Sequence, residues 1–539
     1  MGVEAKSQPS EPPKALTERT AHVQLNALNT IVIPHDLKDE AADSWFCDVN
    51  DPVNQPTPAI RTGNEVVYFV DGKETFKQYQ REIQGTNGSD DFIYIAGWVL
   101  FLDFSLPGEF DIVMPEGTNL KLGWTMRDLL KAASERNVQI RVMLPKNADT
   151  KECFGNRFGG GENLSATSWV SRLGTGAGIL DGRTRLEGTH HQKILIVKHG
   201  DQLSAFCGGI DINPDRISDK GQGILHDVHC RIRGPAARDL LTVFCDRWQD
   251  YVNNINNQDD EQRWLKSAPP LVGLQAPQPA ARGSLKVQIC RTCANPPTFS
   301  YDFAPKGERA IKALIARAIE ASKRFIYIED QYLVDMETAG LLRKRLGQLK
   351  HVTILIPPGP LLDLPEGVYR RKQFIEEVSR GGADKVRVYC LDKKSPTCGT
   401  YVHAKTWIFD DKFAIIGSAN CNRRGYTHDS EVAAGIFDAS NNDELTYTFA
   451  HRLRMKLWAH HLGLDDPDDP EGKGYAELAD GVASADNWAG CKIPLSRNWY
   501  PVDKWLEEGA RVVECDLNEN ISKVNTDFDW DHAYDPDGS

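Results

Sequence analysis

Two stretches decide the fold: THHQKILIV at residues 189–197 and YVHAKTWIF at residues 401–409. Each sets a histidine and a lysine two positions apart, His191 with Lys193 and His403 with Lys405, at the head of an apolar, β-rich run. In a strand, residues i and i+2 face the same side, so each pair is expected to point into one pocket. The similarity extends outward from the pair. FIYIAGWVL (92–100) matches FIYIEDQYL (325–333), and each follows a helix-like stretch, KETFKQYQREIQ and ERAIKALIARAIEASKR. A second helix–strand pair follows in both places: TMRDLLKAASERN into VQIRVMLP (138–145), and ETAGLLRKRLGQLK into HVTILIPP (351–358). After each histidine segment come a Gly turn, a further strand and a long helix, read at Gly234–Val252 and Asn442–His461. The chain is an internal repeat.

Near-continuous apolar strands that alternate with helices imply sheets covered on both faces. The expected fold is therefore α/β: two similar α-β-α sandwich halves packed face to face around one shared site. The halves are placed at 61–270 and 285–465, with the Pro/Ala-rich 271–284 as linker, 1–60 as a loose arm and 466–539 as an acidic extension.

With 63 basic and 76 acidic residues the chain carries a net charge of −13. A nucleic-acid groove is normally basic, so no nucleic-acid partner is expected, and an anionic substrate needs a locally basic pocket. The longest apolar run, Phe92–Leu102, is bounded by Asp91 and Asp103 and falls short of the ~18 residues that span a bilayer. The polar, Pro-rich start carries no signal-peptide core, and the twelve cysteines are scattered; a reducing cytoplasm is the expected setting. Cys290 and Cys293 form one C-x-x-C without a second pair and are read as structural thiols. No metal constellation stands in the sequence, the acidic runs at 465–471 and 527–531 read as solvated tail, and neither metal nor cofactor is expected. The clusters 343–345 and 370–372 are read as solvated helix faces, and Trp98 and Phe101 as core or as lining of an acyl groove.

His403, Lys405 and Asp410 are followed by Gly417-Ser418-Ala-Asn420; His191 and Lys193 are followed by Gly208-Gly209-Ile-Asp211. An acid or nucleophile beside a fixed cation, with small hydrogen-bonding neighbours, suits an anionic transition state such as that of phosphoryl transfer. One H-x-K alone reads more readily as a core histidine; two copies in register do not.

The duplicated H-x-K-x4-D with a downstream G-[SG]-x-[ND] resembles the signature of the phospholipase D superfamily. IYIAGW (93–98), IYIEDQY (326–332), HHQKILIV, GGIDI and LHDVHCRIRGPAA (225–237) are similar to segments of its eukaryotic-type members, over roughly residues 60–465. One position departs: Lys198 stands where the first motif has its Asp, whereas Asp410 is in place. That Asp lies past the pocket-facing side chains and is read as structural, with Asp201 as a substitute.

The resemblance implies a phosphodiesterase that cleaves a glycerophospholipid such as phosphatidylcholine at a membrane surface, without an N-terminal lipid-binding domain, as a monomer. His191 is implied as nucleophile and His403 as general acid/base, with Asp227 and Glu431 orienting the rings. Lys193, Lys405, Asn420 and Ser418 are expected to hold the phosphoryl oxygens, and Gly209 and Asp211, their counterparts in the first half, fall with the substrate contacts. His190 and His226 are expected as bystanders or as pocket-lining residues. A superfamily nuclease and an inactive lipid-binding scaffold are the rival expectations.

Overall fold

The computed structural model describes residues 42–47, 58–107, 112–113, 119–120, 124–146, 161–184, 188–217, 225–255, 265, 268–294, 299–357, 365–391, 401–438, 447–462, 478–485 and 512–514. The two acidic runs and most of the arm and extension lie outside them. Among these residues, seven strands build each half. In the first they are Ile60–Val70, Phe92–Ala96, Gln139–Pro145, Gly176–Asp181, Ile194–His199, Gln202–Gly208 and Val228–Arg233. In the second they are Leu285–Cys293, Phe325–Asp330, His351–Leu355, Val386–Leu391, Lys405–Phe409, Phe413–Gly417 and Glu431–Phe437. Counted along the chain, the strands of both halves take the same order in the sheet, 1-7-6-5-2-3-4, and the two first strands lie side by side in the middle.

Strand Ile60–Val70 turns the corner between the halves. Its start pairs with the second half (Ile60 with Gln288, Arg61 with Val287 and, after a register shift, Asn64 with Leu285) and its remainder with the first (Glu65 to Val70 with Arg233 to Val228). Gly63 sits at the shift with φ 83°, where a Cβ would come within 2.8 Å of Ala281 Cβ. The buried Asn64 then ties the corner together: its amide nitrogen donates to the Arg61 and Leu285 carbonyls, and its oxygen accepts the Ala236 N–H that opens helix Pro235–Asn253.

Strand alternation sorts the side chains into three cores. Ile194 and Ile196 of one half and Ile408 and Ile416 of the other share an inner core with helices Pro235–Asn253 and Phe449–His461, so the halves do face one another. Leu195 and Val197 point outward beneath helices Asp71–Gly85, Met126–Glu135 and Glu162–Val170. Trp407 and Phe409 point outward beneath Ala310–Ala321, Met336–Leu346 and Pro365–Ser379. Each half is thus helix, sheet and shared interior, the α/β sandwich that the near-continuous apolar strands implied.

Two flanking pieces are docked. Within the segment expected as a loose arm, Ala42–Trp45 is a 3-10 turn whose Trp45 stacks on Phe413, with ring centroids 5.8 Å apart. Within the extension, Val512–Glu514 pairs antiparallel with Val386–Leu391 at the sheet edge. Cys290 and Cys293, at odd spacing in one strand, take opposite faces, and the eight described cysteines are all buried, with no disulfide among them.

Candidate active site

The histidines stand ahead of their strands rather than within them, since the strands begin at Ile194 and Lys405. Cross-half pairing accounts for this. His190 bridges to Ser430, and Tyr401–Val402 pairs with Leu225–His226. The next amide in each segment continues across: His191 N–H donates to the Ser430 carbonyl (2.9 Å) and His403 N–H to the His226 carbonyl (2.8 Å).

The ring partners also cross. His191 Nδ1 lies 2.9 Å from Glu431 Oε1, and His403 Nδ1 lies 2.7 Å from Asp227 Oδ2. Each imidazole is therefore held by the carboxylate of the opposite half. The rings keep 14% and 12% of their surface while the carboxylates keep 1% and 0%, so the carboxylates stand behind and the rings reach the opening. A buried carboxylate on Nδ1 fixes the tautomer and leaves Nε2 for chemistry. Trp98, half-buried, packs edge-on to His191 with centroids 6.3 Å apart.

The lysines are buried between these pairs. Lys193 Nζ lies 3.1 Å from Asp211 Oδ2 and donates to the His191 carbonyl. Lys405 Nζ donates to Gln331 Oε1 (3.0 Å) and to the His403 carbonyl. The repeat keeps one acid for each lysine but changes its source. In the first half Lys193 is ion-paired with Asp211, with Gly97 opposite it; in the second Asp330, at the position of Gly97, is the cross-strand neighbour of Lys405 and acts on its charge after Asp227, while Asn420 stands at the position of Asp211. Both acids accept backbone amides of the loop after the second strand: Asp211 from Trp98 and Val99, Asp330 from Tyr332 and Leu333.

Several residues expected among the substrate contacts have their polar groups engaged within the protein. Asp211 is shared by Lys193 and the two amides. The Ser418 hydroxyl donates to Glu431 Oε2. Gly209 packs its Cα against Asp227, where a Cβ would fall 2.0 Å from Oδ1. Ser418 and Gly209 thus do matching work, each seating the carboxylate of its own half. Asn420 is different: its buried Oδ1 has no partner among the described residues.

Arg216 was not legible. It is buried, its Nη1 lies 3.3 Å from Asp227 Oδ2, and it ends the turn Pro214–Arg216 capped by Asn213. The equivalent turn, capped by Asn422, has Gly425 at that place, so repeat alignment gives no signal for it.

Lys198 and Asp410 prove to be charge-swapped versions of one anchor. Asp410 accepts the N–H groups of Lys323, Arg324 and Phe325 ahead of the second strand of its half. Lys198 Nζ donates to the Asp90 carbonyl (3.0 Å) and lies 3.6 Å from Asp91 Oδ1, ahead of the matching strand. Asp201 is exposed and does not substitute; Asp91 supplies the acid. His190 and His226 are buried in separate polar clusters, beside Asp181 and beside Asp71 and Glu329.

The electrostatics follow from burial. Burial, then the Lys193 and Lys405 ammoniums, hold the His191 imidazole well below its usual range. Burial, then Lys405 and Arg216, do the same to His403. Burial pushes Glu431 up to about 8 and Asp227 to about 6, with Lys405 and Arg216 opposing the latter. Burial also brings Lys405 down to about 7. In the protein alone a charged imidazole is thus disfavoured, and an anion between the lysines removes the penalty. Two imidazoles on buried carboxylates and two ammoniums can together bind a phosphodiester, attack it and protonate its leaving group.

A family model described as "Phospholipase D" matches residues 217–339, and one described as "Cardiolipin synthase, PLD-like domain" matches 315–453. The chain is 23% identical over 515 residues to phospholipase D alpha 2 of Oryza sativa subsp. japonica, covering 69% of this chain and 62% of that one. It is 23% identical over 539 residues to phospholipase D alpha 1 of Zea mays, covering 74% and 65%. It therefore spans a little under two thirds of the length of these relatives. Among solved structures, phosphatidylserine synthase of Haemophilus influenzae Rd KW20 is similar with TM-score 0.46 and 13% identity, over 70% of this chain and 82% of that one. The repeated sheet, the crossed histidine–carboxylate pairs and the two family-model matches point one way: the chain is similar to the phospholipase D superfamily.

Proposed function

We propose that the protein hydrolyses glycerophospholipids such as phosphatidylcholine, at a membrane surface, to phosphatidic acid and the headgroup alcohol. The observation that carries the reading is the crossed pairing, which gives one site two imidazoles with free Nε2 atoms beside two ammoniums. His191 Nε2 attacks phosphorus as the headgroup oxygen leaves and takes a proton from His403, giving a phosphatidyl–histidine. His403 then removes a proton from water, which attacks phosphorus and returns His191. With an alcohol in place of water, the phosphatidyl group passes to that alcohol. Lys193, Lys405 and Asn420 hold the non-bridging oxygens, and Glu431 and Asp227 hold the rings. At neutral pH Asp227, at about 6, is the more readily ionised of the two carboxylates. A positive imidazole is therefore better supported on His403, which favours it as the acid.

The test is headgroup release from vesicles of defined lipid class, with and without ethanol. Release of choline from phosphatidylcholine, and formation of phosphatidylethanol when ethanol is present, is expected. Cleavage of a nucleic-acid phosphodiester with no release from any phospholipid would replace the reading with a nuclease; vesicle binding without any cleavage would replace it with a scaffold.

A further inference from the structure

Next to the catalytic carboxylate of the first half lies a second cluster that the proposed chemistry leaves unused. Asp71 opens helix Asp71–Gly85 with φ 60°, a left-handed conformation that is costly for a residue with a Cβ. Its main chain and side chain are both tied to Asp227: Asp71 N–H donates to the Asp227 carbonyl (2.9 Å), and Asp227 N–H donates to Asp71 Oδ1 (3.0 Å). Two imidazoles converge on the same carboxylate. His226 Nδ1 lies 2.9 Å from Oδ1, and His460 Nε2 lies 3.3 Å from Oδ2. One ligand atom from each of the three residues lies within 4.8 Å of the others.

Bonds of about 2.0–2.1 Å in a tetrahedral shell put neighbouring ligand atoms roughly 3.3 Å apart, close to the spacings found here. The surroundings of His226 fit a ligand as well. A metal-bound histidine normally gives its other ring nitrogen to a carboxylate, and His226 Nε2 lies 3.0 Å from Glu329 Oε2. Glu329 is itself fixed by the Tyr327 hydroxyl (2.6 Å) and by His461 Nε2 (2.8 Å). That inner group, His226–Glu329–His461, is wholly buried and already joined by these bonds, so it suits a supporting role. Asp71 and His460, at 22% and 35% exposure, leave the outer set a path from solvent and an open position.

We propose that Asp71, His226 and His460 bind a zinc-class divalent cation, with Glu329 as the partner of His226. Two imidazoles and one carboxylate suit zinc, copper or nickel, whereas calcium requires six to eight oxygens. The cation joins the end of helix Phe449–His461 to the first half, one hydrogen bond from Asp227. The site does not depend on the phosphodiesterase reading.

Tag-free full-length protein, stripped of metal, should be titrated with zinc against a chromogenic chelator, with cobalt(II) absorption and thermal unfolding followed in parallel. One equivalent is expected, with a Tm that rises with zinc and a cobalt spectrum free of thiolate charge transfer. His460→Gln should weaken binding by more than the roughly 10–100-fold that loss of a supporting partner costs, and should remove the Tm rise. His199→Gln, at an exposed histidine elsewhere, should keep both. Equal zinc affinity in wild type and His460→Gln overturns the site, as does a thiolate band, which would assign the ion to cysteine.

Discussion

Gly209→Ala tests whether Asp227 works through His403. A Cβ at residue 209 would lie 2.0 Å from Asp227 Oδ1 and 2.7 Å from its Cγ, and contacts below 3.0 Å are essentially never tolerated. The carboxylate must therefore retreat by at least about 1 Å, a displacement that costs on the order of 10²-fold at a catalytic group. It has little freedom to do so smoothly: Val228 N–H holds Oδ1 at 2.9 Å, Arg216 stands 3.3 Å from Oδ2, and Asp71 grips the main chain on both sides. What yields is the 2.7 Å bond to His403 Nδ1. Headgroup release from vesicles should show kcat reduced roughly 100-fold, about 2.7 kcal/mol of barrier, with KM little changed because Asp227 does not meet substrate. Ser418→Gly is the matched control. It gives the second half the first half's residue, removes one hydrogen bond to Glu431 and should cost about tenfold or less. A folded Gly209→Ala protein with more than half the wild-type kcat, or with the whole loss in KM, would refute the reasoning.

The remaining expectations concern the same site. His191→Asn and His403→Asn should each abolish turnover, and only His403→Asn, which keeps the nucleophile, should accumulate a phosphoenzyme from a substrate with a good leaving group; phosphate trapped on His403 instead reverses the assignment. Lys405, brought down to about 7, loses its charge as pH rises through that value. So kcat/KM, which reports the free enzyme, should fall above about pH 7 while kcat, with the phosphate anion bound, holds to higher pH; identical basic limbs would count against it. On a short-chain monomeric phosphodiester, turnover should survive EDTA, since the two ammoniums supply the charge a metal would bring, and rescue by one specific cation would contradict that. Lys198→Asp, which restores the family's residue in the first motif, should lower stability by about 1–3 kcal/mol, because it sets a second carboxylate beside the buried Asp91; an unchanged or higher Tm defeats the charge-swap explanation.

Much of this architecture was legible because it is local. Strand Phe325–Asp330 follows from a β-rich apolar run and helix Ala310–Ala321 from a period-3.6 pattern, and the doubled H-x-K follows from comparing the chain with itself. Long-range contacts were not legible. Nothing in the spacing of Asp227 or Glu431 says that each serves the histidine of the other half, because that depends on how the corner strand Ile60–Val70 folds one sheet onto the other. Arg216 and the Asp71 clamp come to the site through the same closure.

The departures from repeat symmetry share one feature: a charged side chain keeps an anchoring role while its position and its partners change. At the strand ends the acid is Asp410 in one half and Asp91 in the other, and the lysine replaces it on the motif strand. Beside the motif lysines the acid is Asp211 in one half and Asp330 in the other, and Asn420 and Gly97 fill the vacated places. A buried charge left without its partner costs several kcal/mol, whereas moving the partner to a neighbouring strand leaves the pair whole. A motif read position by position therefore marks Lys198 as a loss, and the same residue read with its partners ties the motif strand to the start of the second strand, as Asp410 does in the other half. The exchange also leaves the two halves unequal in one respect that bears on chemistry. With its acid on Asp330, the second half has an uncharged amide at residue 420, and a phosphoryl oxygen meets no carboxylate there. In the first half Asp211 keeps that place, tied to Lys193 and two amides, so under the proposed reading a phosphate would meet less negative charge on the side of Asn420.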